Sequence, residues 1–118
     1  MTTRYKQPGN TLDYTPGSAV TAGDILVVGN CIAIAPTDIA ANATGAVDVE
    51  GVFEVPKATG TAWNLGDSVD YDVSATTFGK GITPATGDVT KAAICAKAAA
   101  AGDAVAWIKL TPGAGTLN

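Results

Sequence analysis

The clearest alternation of apolar and polar residues lies between Val47 and Val55. One face of the predicted strand collects the apolar side chains of Val47, Val49, Phe53 and Val55, with Gly51 among them. The other face collects Asp48, Glu50 and Glu54, with Val52 as the exception. This alternation predicts one strand over residues 46–55, with an apolar face on a core and an acidic face in water. Pro56 should end the strand, because it has no N–H to donate.

Short apolar segments before and after this strand predict further strands. Residues 25–28 and 31–35 are separated only by Gly29-Asn30, which indicates a tight β-hairpin with a primed turn. Other strands are predicted around residues 69–73, near 78–82 and over 104–110. The segment KAAICAKAAAA at 91–101 is ambiguous, because alanine is the best helix former. Gly-Asp pairs bracket it at a spacing typical of strands, so we favour a strand over 92–97, followed by a turn or by one helical turn.

A Gly-Asp pair precedes a strand-like run four times, at residues 23–24, 66–67, 87–88 and 102–103. Glycine tolerates positive φ, and aspartate can bond the backbone two residues further on. The intervals of 43, 21 and 15 residues are unequal, which argues against a solenoid. Many short strands between turn signals predict an all-β fold, a small single-domain β-barrel or sandwich of antiparallel strands.

The chain divides into three parts by composition. Residues 1–23 are polar, contain Pro8-Gly9 and Pro16-Gly17, and are expected to form an extended N-terminal arm or a loosely held first strand. Residues 24–111 form the β-domain, and residues 112–118 are expected to be a flexible C-terminal tail. Because the arm holds few core residues, deletion of residues 1–12 should leave the β-domain folded.

Bulk composition limits the classes of function. The 118 residues suffice for one domain, but large core residues are few, so association is expected to complete its stability. A net charge of −4 and scattered cations argue against nucleic-acid binding. The sequence contains no run of 18 apolar residues, so no membrane span is expected. The N-terminus lacks the apolar segment of a secretory signal.

Catalytic chemistry finds little support in the residue types present. The chain has no histidine, which excludes Ser-His-Asp and Cys-His mechanisms and removes the commonest metal ligand. We expect no catalytic, cofactor-binding or metal-binding residues. Asp67, Asp70 and Asp72 lie close in sequence, but the residues that follow do not fit a calcium loop, so a solvated strand face is expected.

Two pairs of residues have less certain roles. Cys31 and Cys95 lie in apolar runs, which favours two buried free thiols, although spacing alone leaves a disulfide open. Trp107 lies inside an apolar strand, so we expect it in the core. Trp63 lies among loop residues, so an edge or interface role is nearly as well supported as a core role.

Several segments together resemble a known family. They are Gln7-Pro8-Gly9, the apolar hairpin after Ala22-Gly23-Asp24, the stretch GVFEVPKA at 51–58, Trp63, Gly66-Asp67, and the alanine-rich run ending at Gly102-Asp103. In this pattern the chain resembles the small tailed-phage and prophage proteins described as capsid cement or head decoration proteins. The sharpest part of the resemblance is the stretch at 51–58.

The resemblance implies a non-enzymatic role in the virion. A β-rich homotrimer would sit on the outer capsid surface at local three-fold positions and clamp major capsid protein subunits against internal DNA pressure. The protein would be made in the host bacterial cytoplasm. Its arm would reach onto the capsid, with Trp63 as a candidate interface residue and an extended segment able to add a strand to a neighbouring sheet. The arm candidates for partner binding are Tyr5, Lys6, Gln7, Pro8, Gly9 and Asn10.

Two other functions remain open from the residues alone. One is a different β-rich virion or surface adhesion module. The other is a carboxylate-based hydrolase that uses the acidic strand face, although such chemistry needs a cleft with aromatic side chains. Capsid binding would separate the first from a cement protein, and loss of an activity in Asp70→Asn or Glu54→Gln would support the second.

Overall fold

The structure is a computed structural model that describes residues 3, 6, 7 and 9–118. The described part contains strands and turns but no helix. Its ten strands, in chain order, are β1 Thr11–Tyr14, β2 Ile25–Val28, β3 Cys31–Ile34, β4 Gly45–Asp48, β5 Val52–Pro56, β6 Ser68–Asp72, β7 Thr77–Gly79, β8 Val89–Lys97, β9 Val105–Leu110 and β10 Thr116–Leu117.

These strands form two antiparallel sheets. The first sheet has the order β1-β4-β3-β2, and the second has the order β5-β9-β8-β6-β7 with β10 added to β8. The all-β prediction is confirmed, and the arrangement is a sandwich rather than a closed barrel. The second sheet comes near closure where Lys57, just after β5, makes a parallel bridge to Phe78 of β7.

The strand predicted over 46–55 is in fact two strands in different sheets. β4 ends at Asp48 and β5 begins at Val52, with Gly51 between them at a φ of 124°. Few residues other than glycine adopt this backbone conformation, so Gly51 lets the chain leave one sheet and enter the other. The predicted apolar positions are nevertheless confirmed as inward, and Pro56 is the last residue of its strand.

Other predicted elements are confirmed with adjusted bounds. In the hairpin, Val28 lies opposite Cys31, and Gly29 has the positive φ, 60°, that a primed turn requires. The favoured strand over 92–97 is the centre of β8. Helix propensity is overridden there because β8 pairs with both β6 and β9, and its Ala93 and Cys95 are fully buried.

The core consists of two clusters on opposite sides of the first sheet. Ile32 and Ile34 of β3 pack against the inner face of the second sheet, together with Phe78 and Ile108. The alternate side chains of this sheet pack beneath the connecting loops, and this second cluster contains Val20, Ala33, Ala35, Ile39, Val47 and Val49. The β2–β3 hairpin is therefore covered on both faces, which gives a small chain more buried apolar surface than a two-layer packing alone.

The Gly-Asp turns share one hydrogen-bond arrangement. In each, the aspartate N–H donates to the carbonyl of the residue three positions earlier, and the N–H of that same residue donates to the aspartate carboxylate. The four pairs are Thr21 and Asp24, Asn64 and Asp67, Ala85 and Asp88, and Ala100 and Asp103. The aspartate side chain was expected to bond the backbone two residues later, but its carboxylate instead accepts from the backbone three residues earlier. Gly23, Gly66 and Gly87 have φ near 90°, and their N–H groups donate to the carbonyls of Ala35, Cys95 and Asn118.

Both chain ends differ from the expected division into arm, domain and tail. Residues 11–14 form β1 and pair with β4, so the first sheet begins inside the segment assigned to the arm. Residues 116–117 form β10, and Asn118 donates from its backbone and side-chain nitrogens to the carbonyl of Asp88. The tail is held by these hydrogen bonds to β8 and to Asp88. Because β1 includes Thr11 and Leu12, a cut after residue 12 would remove half of a strand.

The two cysteines are free thiols. Cys95 is buried and its Sγ donates to the carbonyl of Lys97 over 3.0 Å, whereas Cys31 is only half-buried at the start of β3.

Candidate partner-binding surfaces

The outer face of β5 and β9 carries an exposed apolar patch. Along β9, Ala106, Ile108 and Leu110 point into the core, so the residues between them point outward. On this outer face Trp107 is 45% exposed, and Val52 and Val105 are about half exposed. Register places Val52 opposite Lys109, Glu54 opposite Trp107, and Pro56 opposite Val105. These six residues are called the Trp107 patch below.

Polar neighbours hold the Trp107 ring in place. Its Nε1 donates to a Glu54 carboxylate oxygen at 3.3 Å, and the Lys97 ammonium lies 4.8 Å from the ring centroid. A cation over an indole face is favourable, and the hydrogen bond satisfies the indole N–H. Shallow depressions flank the ring on both sides, one beside Phe53 and one beside Ala99 and Asp103. An ordered aromatic side chain between two depressions is suited to contact another protein.

The prediction that Trp107 lies in the core is wrong. The second sheet has one face on the core and one face open, and β9 alternates strictly between them. Lys109 could have indicated from the sequence that Trp107 points outward, since side chains at i and i+2 of a strand share a face. A strand that contains an outward lysine places the tryptophan outward as well.

Trp63 lies in the core, at 1% exposure, and offers almost no surface to a partner from this conformation. Beside it lies Lys57, itself 3% exposed, whose Nζ is 5.5 Å from the ring centroid. The Lys57 ammonium donates to the carbonyls of Ala58, Ala101 and Asp103 at 3.1–3.5 Å. Sequence reasoning missed this buried lysine, which ties two loops together and explains why the stretch at 51–58 contains a cation after its proline.

The described arm candidates lie at the surface. Lys6, Gln7, Gly9 and Asn10 are exposed, whereas Tyr5 and Pro8 lie outside the described residues. The carbonyl of Asn10 accepts the N–H of Val49 at 3.0 Å, which extends the β1–β4 ladder by one bond. The role of these arm residues in binding stays a prediction.

The three clustered aspartates each bind groups of their own chain. Asp67 accepts from Lys80 at 2.9 Å and from the Asn64 N–H, and these bonds lower the pKa of its carboxyl. Asp72 accepts from the side chain and backbone of Ser74, which likewise lowers its pKa. Asp70 accepts the N–H of Ile82 and the N–H of Lys91. These contacts fix turns.

Asp88 is a buried aspartate, 2% exposed, that joins three segments of the fold. Its carboxylate accepts the N–H groups of Val73 and Ala85, and its carbonyl accepts from Asn118. Two backbone N–H bonds stabilise the group in a site that excludes water. The residue therefore anchors the β6–β7 turn, the loop before β8 and the chain end.

Metal clusters and membrane-spanning helices are both absent among residues 3, 6, 7 and 9–118. These residues contain no group of three or more metal-ligating side chains. None of their secondary-structure elements is a helix long and apolar enough to cross a membrane.

Comparison with known proteins identifies the family. The phage cement protein family matches residues 6–110, which is nearly the whole chain. No curated protein matches the sequence, and no solved structure matches the fold. The chain belongs to the phage cement protein family, so the resemblance seen across nearly the whole sequence is confirmed. Membership indicates a structural protein that decorates the capsid of a phage.

Proposed function

We propose that this protein is a non-enzymatic cement protein that binds the outer surface of a phage head. It assembles as a homotrimer at local three-fold positions and clamps neighbouring major capsid protein subunits against the pressure of packaged DNA. The family match over residues 6–110 carries this proposal. The protein is made in the host bacterial cytoplasm and becomes part of the virion.

Two structural observations support a binding role over catalysis. The clustered carboxylates Asp67, Asp70 and Asp72 all bind groups of their own chain, so none projects as an unengaged acid into a cleft. By contrast, the Trp107 patch exposes apolar surface that remains without a partner in the described chain. Exposed apolar patches of this kind mark surfaces that other proteins cover.

The direct test is binding to expanded phage heads that lack decoration. Purified protein should bind such heads to saturation at a fixed ratio to the major capsid protein, and the decorated heads should resist heat or mechanical stress better. Unexpanded proheads and an unrelated acidic β-domain serve as controls. Absence of saturable binding would contradict the proposal.

A further inference from the structure

Strand β2 forms an open edge of the first sheet. It pairs with β3 on one side, and no strand of the described chain pairs with its other side. The Ala35 N–H donates to the Asp24 carbonyl at 3.1 Å, and bonded pairs alternate along an antiparallel ladder. Ile25 and Val27 therefore point their backbone N–H and C=O groups away from β3, and no described residue bonds to these groups.

This edge lacks the features with which proteins block strand pairing. Edge strands are usually protected by charges, proline, bulges or short length. β1 carries Asp13, β5 carries Glu54 and Pro56, and β7 and β10 have only three and two residues. β2 has the sequence ILVV, is half-buried at every position and pairs with β3 without a bulge. Such a strand is suited to accept the main chain of another extended segment.

The start of β2 is surrounded by acids. Asp24 directly precedes the strand, and the Asp38 carboxylate accepts a backbone N–H from the same turn at 2.8 Å. Burial raises the pKa of the Tyr71 hydroxyl, and the charges of Asp72 and Asp24 raise it further, so both carboxylates lie near this hydroxyl. No ion pair in the described chain includes any of these three aspartates. A basic segment therefore suits this edge.

The N-terminal arm is the basic segment in the first half of the chain. Residues 1–9 hold Arg4 and Lys6 and no acid, whereas residues 10–56 hold six acids and no lysine or arginine. In an extended conformation the two cations lie on the same side of the arm. The threonine and tyrosine residues among them favour a strand. The arm thus has the charge and the residue types that the β2 edge requires.

The arm is too short to fill the edge of its own chain. The registers align Thr11 with Asp48, Asp48 with Ile34, and Ile34 with Ile25 across the sheet. A strand added beside Ile25 would lie four strand spacings from Thr11, or about 19 Å. Lys6 precedes Thr11 by five residues, which span at most about 18 Å. Lys6 therefore cannot pair beside β2 of its own chain, and the arm must come from another copy.

We propose that residues 2–6 of a second copy of this chain pair with the open edge of β2. Main-chain bonds to Ile25 and Val27 hold the added strand, and Arg4 and Lys6 lie near the acids at the start of β2. The contact joins the arm of one copy to the edge of the next, and such a heterologous contact generates a ring when its rotation closes. The inference rests on the homotrimer of the proposed function and names the contact that joins its subunits.

A proline in β2 tests the edge. Val27→Pro removes an outward N–H without breaking a bond to β3, and the proline ring obstructs a partner strand. Val27→Ala is the matched control, because it shortens the side chain and keeps the N–H. In light scattering and sedimentation the unmodified chain and Val27→Ala should be trimers. Val27→Pro should be monomeric, with an association constant lower by about tenfold or more. Circular dichroism checks that each variant is folded.

Charge reversal tests the arm. The arm-reversed variant, Arg4→Glu with Lys6→Glu, should also be monomeric, whereas Lys91→Glu, an exposed reversal away from both surfaces, should remain a trimer. The arm-reversed variant keeps an intact edge, and Val27→Pro keeps an intact arm. A mixture of the two should therefore associate one to one, which distinguishes exchange between copies from damage to either surface.

Amide hydrogen exchange tests the contact without a substitution in β2. By NMR, the N–H groups of Ile25 and Val27 should exchange about tenfold or more slowly in the unmodified trimer than in the arm-reversed chain at the same concentration. The N–H groups of Leu26 and Val28 already face β3, so their exchange should differ much less. Equal exchange at Ile25 and Val27 in the two proteins would overturn the inference.

Other results would also contradict the exchange of arms. They are an unmodified chain that stays monomeric at high concentration, a Val27→Pro variant that still forms trimers, and a mixture that fails to associate. Binding to undecorated heads, measured in parallel, separates the inference from the proposed function. Trimers that depend on the arm and the edge but ignore heads contradict only the function. A Val27→Pro trimer that loses head binding overturns the inference and assigns the edge to a capsid segment.

Discussion

Glu54 and Trp107 lie directly opposite each other on β5 and β9, and the indole Nε1 donates to the carboxylate across the strands at 3.3 Å. Trp63, the other tryptophan of the chain, is 1% exposed, and its buried Nε1 has no hydrogen-bond partner among the described residues. The two indoles therefore have opposite environments. Trp107 is exposed at the surface beside Glu54 and Lys97, and Trp63 fills the core beside Lys57.

Fluorescence quenching should report this difference. In Trp107→Phe the remaining indole is Trp63, so emission should shift to shorter wavelength and the acrylamide quenching constant should fall several-fold. In Trp63→Phe the remaining emission should be red-shifted and readily quenched. Urea-unfolded Trp107→Phe is the control, because unfolding should restore quenching. Strong quenching of the folded Trp107→Phe variant would contradict the burial of Trp63.

Truncation of the arm should separate binding from folding. Deletion of residues 1–9 leaves β1 intact and leaves Asn10 to accept its bond from Val49, so the melting temperature should change little. Binding to undecorated heads should weaken. Deletion of residues 1–14 also removes β1 and is expected to lower the stability by a few kcal/mol, since Leu12 and Tyr14 pair with β4. Unchanged head binding after the shorter deletion would exclude the arm as a capsid contact.

The structure explains which sequence patterns were informative. Alternation in 46–55 correctly identified inward and outward side chains, because a residue's neighbours at i±2 report the same face. It did not reveal that the chain changes sheets at Gly51, since glycine fits both a continuous strand and a break. The hairpin at Gly29-Asn30 was predictable because its turn chemistry is local.

Contacts between residues far apart in the chain were harder to predict from the sequence. The burial of Lys57 depends on carbonyls of Ala101 and Asp103, more than forty residues away, and no local pattern encodes that contact. The tail resembled a flexible end because its TPGAG sequence is rich in turn residues, whereas its order depends on Asp88 and the edge of β8. The Trp107 patch was not predicted, because a strand rich in apolar residues can still have one face open to solvent.

Gly115 is expected to be intolerant of a side chain. A Cβ at this position would lie 2.7 Å from the Asn30 carbonyl oxygen and 2.7 Å from a Val89 methyl group. Since a backbone atom cannot be moved easily, Gly115→Ala should destabilise the fold by about 1–3 kcal/mol, measured by urea unfolding. Gly102→Ala, which meets nothing within 4 Å, should stay within about 0.5 kcal/mol of the unmodified chain. Equal stabilities would mean that the tail does not pack on the hairpin turn.

Lys91 has a strained backbone, and its replacement by glycine should stabilise the protein. Its φ of 53° lies in the left-handed region, near the register shift between β6 and β8, where its N–H donates to Asp70. That conformation costs about 1–2 kcal/mol for a residue with a Cβ, which exceeds the added unfolded-state entropy of glycine. Lys91→Gly should therefore gain about 0.5–1 kcal/mol in urea unfolding. Ser68→Gly, at an exposed strand position without positive φ, should lose a similar amount, and a loss in both variants would contradict the strain.

Tyr71 should make the fold sensitive to alkaline pH. The residue is 2% exposed and packs against Phe78 at a centroid distance of 4.9 Å. Burial raises the pKa of its hydroxyl above the ordinary value of 10.0. A raised pKa stabilises the folded state fully below pH 10, and this contribution is lost as the pH rises through the folded-state pKa. In Tyr71→Phe the stability should therefore fall less steeply above pH 10, as measured by urea midpoints from pH 7 to pH 11. Comparison of Tyr71→Phe with the unmodified chain at each pH cancels the titration of lysines, which both proteins share. Parallel plots of stability against pH for the two proteins would show that Tyr71 ionises as easily in the folded as in the unfolded chain.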